Sequence, residues 1–176
     1  MPRVLATPLL LLLVAGSACD DATGDAAAGP AKPEVTLSAE QVRARLKVAD
    51  ANLEMGGTEA NGLRVQSLSC ANAKRPLLEG MAMVGGFAEH KAALDACAPK
   101  GAAVVVTWKG ASGALSELDV YSGRGASVDA CVSEALASAK SPLAGPCAGV
   151  LMLGEAAGAD AAAAAWIDEN ADGGAS

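Results

Sequence analysis

Five cysteines and one histidine carry the most reactive side chains of this 176-residue chain, and their positions restrict their use. Cys19, Cys70, Cys97, Cys131 and Cys147 contain no Cys-x-x-Cys pair, the arrangement that dithiol redox centres and many structural zinc sites rely on. No metal and no redox work are therefore expected of them. With Cys19 assigned to a leader, an even set of four remains, and in an oxidising compartment such a set predicts two disulfides. Four cysteines permit three pairings, and spacing alone leaves them open. His90 precedes Cys97 by seven residues, so on a helix the two share a face, as an activated thiolate would require. Bridging of Cys97 removes that nucleophile, and His90 then reads as a partly exposed structural residue.

A single histidine excludes Ser-His-Asp triads and two-histidine metal sites within one chain. Glu117 and Asp119 share the wet side of a strand, where carboxylates keep a surface soluble, and no acid-base pair follows from them. Neither a phosphate loop nor a GxGxxG fingerprint occurs; Gly85-Gly86 and Gly123-Arg124-Gly125 read as turn or packing glycines. No catalytic residue and no cofactor is assigned. Lys plus Arg number 13 against 20 Asp plus Glu, a net charge of -7 that repels phosphate backbones and argues against nucleic acid as a partner.

The amino terminus defines a location. Arg3 precedes an apolar run through Leu9 to Ala15, then Gly16-Ser17-Ala18 and Cys19. The run, about twelve residues, is short of the roughly twenty that span a bilayer, so it reads as a cleaved signal peptide over 1–18. Gly16-Ser17-Ala18-Cys19 resembles a bacterial lipobox, which makes Cys19 an acylated first residue and the membrane a partner through its lipid. Ordinary secretion is the alternative. Residues 20–33 lack large apolar side chains and form, with Cys19, a flexible tether over 19–33.

The elements that must position the remaining cysteines form one α+β domain over 34–155, followed by an Ala-rich helical, frayed tail over 156–176 carrying Trp166. Ser38 and Gln41 make a capping box for a short first helix through Val42 and Leu46. Leu53 to Met55 and Leu63 to Cys70 have strand-like composition and are separated by Gly56-Gly57 and Asn61-Gly62, which suggests a hairpin. From Pro76, the stripe Leu77, Met81, Val84, Phe87, Leu94 and Cys97 predicts a buried helix face, bent at Gly85-Gly86. The β-branched run 102–108 is a strand, Leu115 to Ser122 alternates with period two, and Ser127 caps a helix through Ala139. Residues 147–153 close the domain as a last strand.

The order helix-strand-strand-helix-strand from Pro76, with Gly101 before the valine-rich strand, the Gly113 hairpin and Asp119-Val120-Tyr121-Ser122-Gly123 leading into the next helix, resembles the TonB C-terminal domain family. Leu94-Asp95-Ala96-Cys97 and Asp129-Ala130-Cys131-Val132 are similar to the paired helix cysteines of the disulfide-bearing TonB-like domains of myxobacterial envelope proteins. The likeness covers about residues 86–153. It implies a Cys97–Cys131 bridge, which leaves Cys70 with Cys147, and a small TonB-like fold with an N-terminal helix and hairpin extension. A bridge closing 97–131 contributes roughly 4 kcal/mol by loss of unfolded-chain entropy. The function expected is that of a non-enzymatic envelope module, held at the periplasmic face or outer membrane, that binds an envelope protein or peptidoglycan-associated partner. Strand addition to the edge of the last strand, Val150, Leu151, Met152 and Leu153, is the mode the fold likeness suggests. The alternative is a small secreted enzyme or inhibitor using a cleft between the N-terminal segment and the sheet.

Overall fold

A computed structural model describes residues 37–111 and 113–167; the leader, Cys19 and the tether residues 20–33 lie outside them. Helix α1 (Ala39–Leu46) starts as its capping box dictates: Ser38 Oγ accepts the Gln41 N–H at 3.2 Å and Gln41 Oε1 accepts the Ser38 N–H at 2.8 Å. Strands β1 (Ala51–Ala60) and β2 (Leu63–Ala71) form a hairpin whose turn residues Asn61 and Gly62 both have positive φ, 47° and 79°, as a tight primed turn demands.

Helices α2 (Pro76–Ala88) and α3 (Lys91–Cys97) replace the single bent helix expected. The break falls at His90, with φ -98° and ψ 4°, while Gly85 and Gly86 lie inside α2. The buried face also differs from the expected stripe. Met83, Val84 and Phe87 enter the core, whereas Leu77 is 70% exposed and Met81 43%. Gly80 faces β1 so closely that a Cβ there would overlap Met55 Sδ and sit 3.0 Å from Leu53 Cδ1. Met81, about 100° around the helix from Gly80, therefore faces outward, while Leu77 is exposed in the first turn although it lies on the side of Val84.

Strands β3 (Ala102–Ala111) and β4 (Ala114–Tyr121) form the second hairpin. Their register shifts between Thr107 and Lys109, and Glu117 has φ 50° at that irregularity, which lets Leu115, Leu118 and Val120 all pack on the core. Helix α4 (Ala126–Leu136) begins after Gly125 and lacks the Ser127 side-chain cap expected. Asp129 instead accepts the Ser122 N–H at 2.8 Å, tying the end of β4 to the helix. Strand β5 (Gly145–Leu153) and helix α5 (Ala156–Ile167) complete the domain.

All pairings are antiparallel, in the order β1-β2-β5-β3-β4. The α+β architecture expected from sequence is thus what forms, with β1 and β4 as the edges. Helices α2, α3 and α4 cover one face, here called the front, where Leu53, Leu68, Val104, Leu151 and Leu153 meet Val84, Phe87, Leu94, Val132 and Leu136. On the back, α1 and α5 cover β3 and β5 through Val42, Val105, Val150, Met152, Ala159 and Ala163. Helix α5 is therefore a layer of the fold. Trp166 lies 5.8 Å from the Tyr121 ring, and Gly101, with φ 94°, admits α5 where a Cβ would be 2.7 Å from the Gly158 carbonyl carbon.

Candidate functional site

Both bridges join parts that are distant in sequence. Cys70 and Cys147 are direct cross-strand partners on β2 and β5, with Cα atoms 4.2 Å apart, and fasten the first hairpin to the central strand. Cys97 and Cys131 link α3 to α4 across a Cα separation of 5.7 Å. These are the pairings that the family resemblance implied. Two such bridges indicate an oxidising, non-cytoplasmic location. No helix among the described residues is long and apolar enough to cross a membrane. Cys19 lies outside the described residues.

Bridging of Cys97 leaves His90 without a thiol to activate; its backbone carbonyl instead accepts the Leu94 N–H at the start of α3. Glu117 and Asp119 are occupied by cations: Lys109 Nζ at 3.0 Å from Glu117, and an Arg45 guanidinium nitrogen at 2.7 Å from Asp119. Among the described residues, no three His, Cys, Asp or Glu side chains cluster as a metal site would need.

Strand addition at Val150 to Leu153 is overturned. Strand β5 is the middle strand, with Val150 paired to Ser67 on one side and Val105 on the other, and Leu151 to Val65 and Val104. Val150, Leu151 and Leu153 are 0% exposed and Met152 5%. The reason is the N-terminal hairpin: β2 occupies the edge that β3, β4 and β5 alone would leave open, and Cys70–Cys147 holds it there.

The open surface lies elsewhere. On the back face α1 and α5 pack on β3 and β5, and β1 and β2 run on beside the last turn of α1 with none of the described helices over them. A groove of about 710 Å³ results, within the range of small-molecule and peptide sites. Arg43, Leu46, Lys47 and Val48 form its wall, while Gly56, Ser67, Ser69 and Ala148 floor it and Glu54 and Gln66 stand exposed beside them.

Strand register sets this floor. Glu54, Ser69 and Ala148 lie in one row across three strands, and Gly56, Ser67 and Val150 in the next. Rows along a strand repeat about every 7 Å and neighbouring strands are about 4.8 Å apart, so the two hydroxyls are spaced like alternate groups of an extended chain. A bulge makes the row possible. Register shifts between Val65 and Ser67, so Val65 and Leu68 both enter the front core while Ser67 and Ser69 face back.

Among the described residues, Ser67, Ser69, Lys47, Glu54 and Gln66 make no side-chain hydrogen bond or ion pair within the chain, whereas Arg43 is anchored by donating to the Trp166 carbonyl oxygen at 3.4 Å. The groove therefore presents an ammonium, a carboxylate, an amide and two hydroxyls, beside the aliphatic Leu46 and Val48. This donor and acceptor set suits a polar, extended ligand. Sequence reading assigned none of these residues to a site. A signal was present in the small and polar residues that interrupt β1 and β2, Gly56, Ser67 and Ser69.

No protein-family model matches the chain, and neither the curated proteins nor the solved structures contain a match to it.

Proposed function

We propose that this protein is a non-enzymatic cell-envelope lipoprotein, tethered to a membrane by acyl chains on Cys19, whose domain binds an envelope protein or peptidoglycan-associated partner in the groove between α1 and the β1–β2 hairpin. The observation that carries the binding reading is the groove itself, where Lys47, Glu54, Gln66, Ser67 and Ser69 make no side-chain hydrogen bond or ion pair among the described residues. Ser67 and Ser69 are half-buried, and a half-buried hydroxyl without a partner gains on meeting one. Catalysis is disfavoured by the same lining, which offers one carboxylate, Glu54, and neither histidine nor thiol. The lipobox-like Gly16-Ser17-Ala18-Cys19 and the two bridges support the envelope location. The resemblance to TonB-like envelope domains agrees with a binding role.

The anchor is tested by the intact, non-reduced mass of protein isolated from its native envelope. Cleavage before Cys19, two or three acyl chains and loss of four hydrogens are expected; an uncleaved leader with free thiols contradicts the reading. Binding is tested by returning the oxidised, unacylated Cys19→Ser chain to washed native envelope. Saturable binding that Ser67→Leu with Ser69→Leu abolishes supports the groove, and binding indifferent to those substitutions removes it.

A further inference from the structure

We infer that the outer face of α2, Leu77, Leu78 and Met81 with Lys74 and Arg75 just before them, docks on an anionic lipid bilayer. Among the described residues these three are the large apolar side chains left exposed, at 70%, 61% and 43%. Elsewhere leucine is buried or half-buried: Leu53, Leu63, Leu68, Leu136, Leu151 and Leu153 are all 2% exposed or less, and Leu37, Leu46, Leu115 and Leu118 are half-buried. Three such side chains within five residues form a patch rather than the scattered exposure normal for a surface. Exposed Ala82 extends the patch along the helix without adding a charge.

Charge complementarity selects the occupant. The chain carries a net charge of -7 and is repelled by an anionic membrane, yet Lys74 and Arg75 are exposed beside the leucines and enter no ion pair among the described residues. The one acid of the first turn, Glu79, is half-buried and accepts the Lys74 backbone N–H at 2.9 Å, which holds the basic pair against the start of the helix. Long basic side chains can lay their stems along an apolar patch and keep their charges at headgroup level. Each basic residue near an anionic leaflet strengthens attraction about fivefold.

The inference goes beyond the proposed function and does not depend on Cys19. Helix α2 lies on the front of the β1–β2 hairpin and the groove on its back, so a bilayer under α2 leaves the groove open on the side away from the membrane.

The exported, oxidised chain bearing Cys19→Ser is mixed with pure-lipid vesicles, either phosphatidylcholine alone or phosphatidylcholine with one-third phosphatidylglycerol, and floated. These vesicles hold no protein partner, so failure here leaves the groove reading untouched. Expected is flotation with the anionic vesicles that falls at least about tenfold for Leu77→Gln, Leu78→Gln and Met81→Gln combined. Lys74→Glu with Arg75→Glu is expected to lower it at least about 25-fold, with unchanged thermal unfolding in both variants because all five positions are exposed. Equal flotation of wild type and the triple variant overturns the inference. Equal flotation with neutral vesicles overturns the assignment to anionic lipid. A triple variant that turns a dimer into a monomer without affecting flotation reassigns the face to contact between copies.

Discussion

On its front the sheet meets three helices, one buried cluster runs from Leu53 to Leu153, and Cys97–Cys131 ties two of the helices together. On its back, two helices cover β3 and β5 through a smaller cluster, and among the described residues no helix covers β1 and β2. One set of strands thus has a face that is filled and a face that is half filled. The filled face carries most of the stability. The half-filled face keeps serines and a glycine where a core would place large apolar residues, and those residues line a groove. The first hairpin serves both faces, since its Leu53, Leu63 and Leu68 enter the core while Glu54, Ser67 and Ser69 do not.

The largest test of that contrast removes a bridge. Cys97→Ala with Cys131→Ala is expected to cost about 4 kcal/mol in guanidinium unfolding, and Cys70→Ala with Cys147→Ala slightly more because it opens the longer loop. A loss under about 1 kcal/mol for both would break the claim that the bridges hold the front together. Next, Leu151→Ala, at a fully buried front position, is expected to cost about 3 kcal/mol, against less than about 0.5 kcal/mol for Ser67→Ala in the groove. Similar costs at the two positions would erase the distinction between faces.

Smaller effects sharpen the account of the back face. The Tyr121 hydroxyl accepts the Leu37 N–H at 3.0 Å and so holds the chain entering α1. Tyr121→Phe is expected to cost about 1 kcal/mol and to speed amide exchange through α1 before any other element. Arg45 to Asp119 joins α1 to β4 at the surface, and a double-mutant cycle should give under about 1 kcal/mol for the pair. A larger coupling would mean that α1, the groove wall, is fixed by charge rather than by Val42.

Local chemistry made several elements legible in the sequence. The Ser38–Gln41 box, the Asn61-Gly62 turn, the valine run of β3 and the alternation of β4 each specify their structure within a few residues. The even set of cysteines foretold two bridges. What sequence could not show depends on pairing between distant segments. Residues 63–70 place Leu63 and Val65 on one parity and Leu68 and Cys70 on the other, and only the bulge at Gln66, set by pairing with β5, brings all four to one face. The interior place of β5 follows from β2 docking beside it across the whole domain, so reading the last strand as an open edge failed for want of a long-range contact. Helix α2 misled for a similar reason: its periodicity does not fix which side meets the sheet, and the close seat of Gly80 on β1 selects the one that exposes Met81. The groove was not legible, because its lining depends on where α1 stops and on β1 and β2 joining the sheet.

The most direct test of the central claim, that the back face binds while the front holds the fold, compares two photo-cross-linkers in the native envelope. One replaces Gln66 on the groove rim and the other Ala92, an exposed position on α3 at the front. The account expects a discrete adduct from position 66, none from position 92, and loss of the first when Ser67→Leu and Ser69→Leu fill the groove. Adducts of equal yield from both positions, or an adduct at 66 that survives the filled groove, would contradict it.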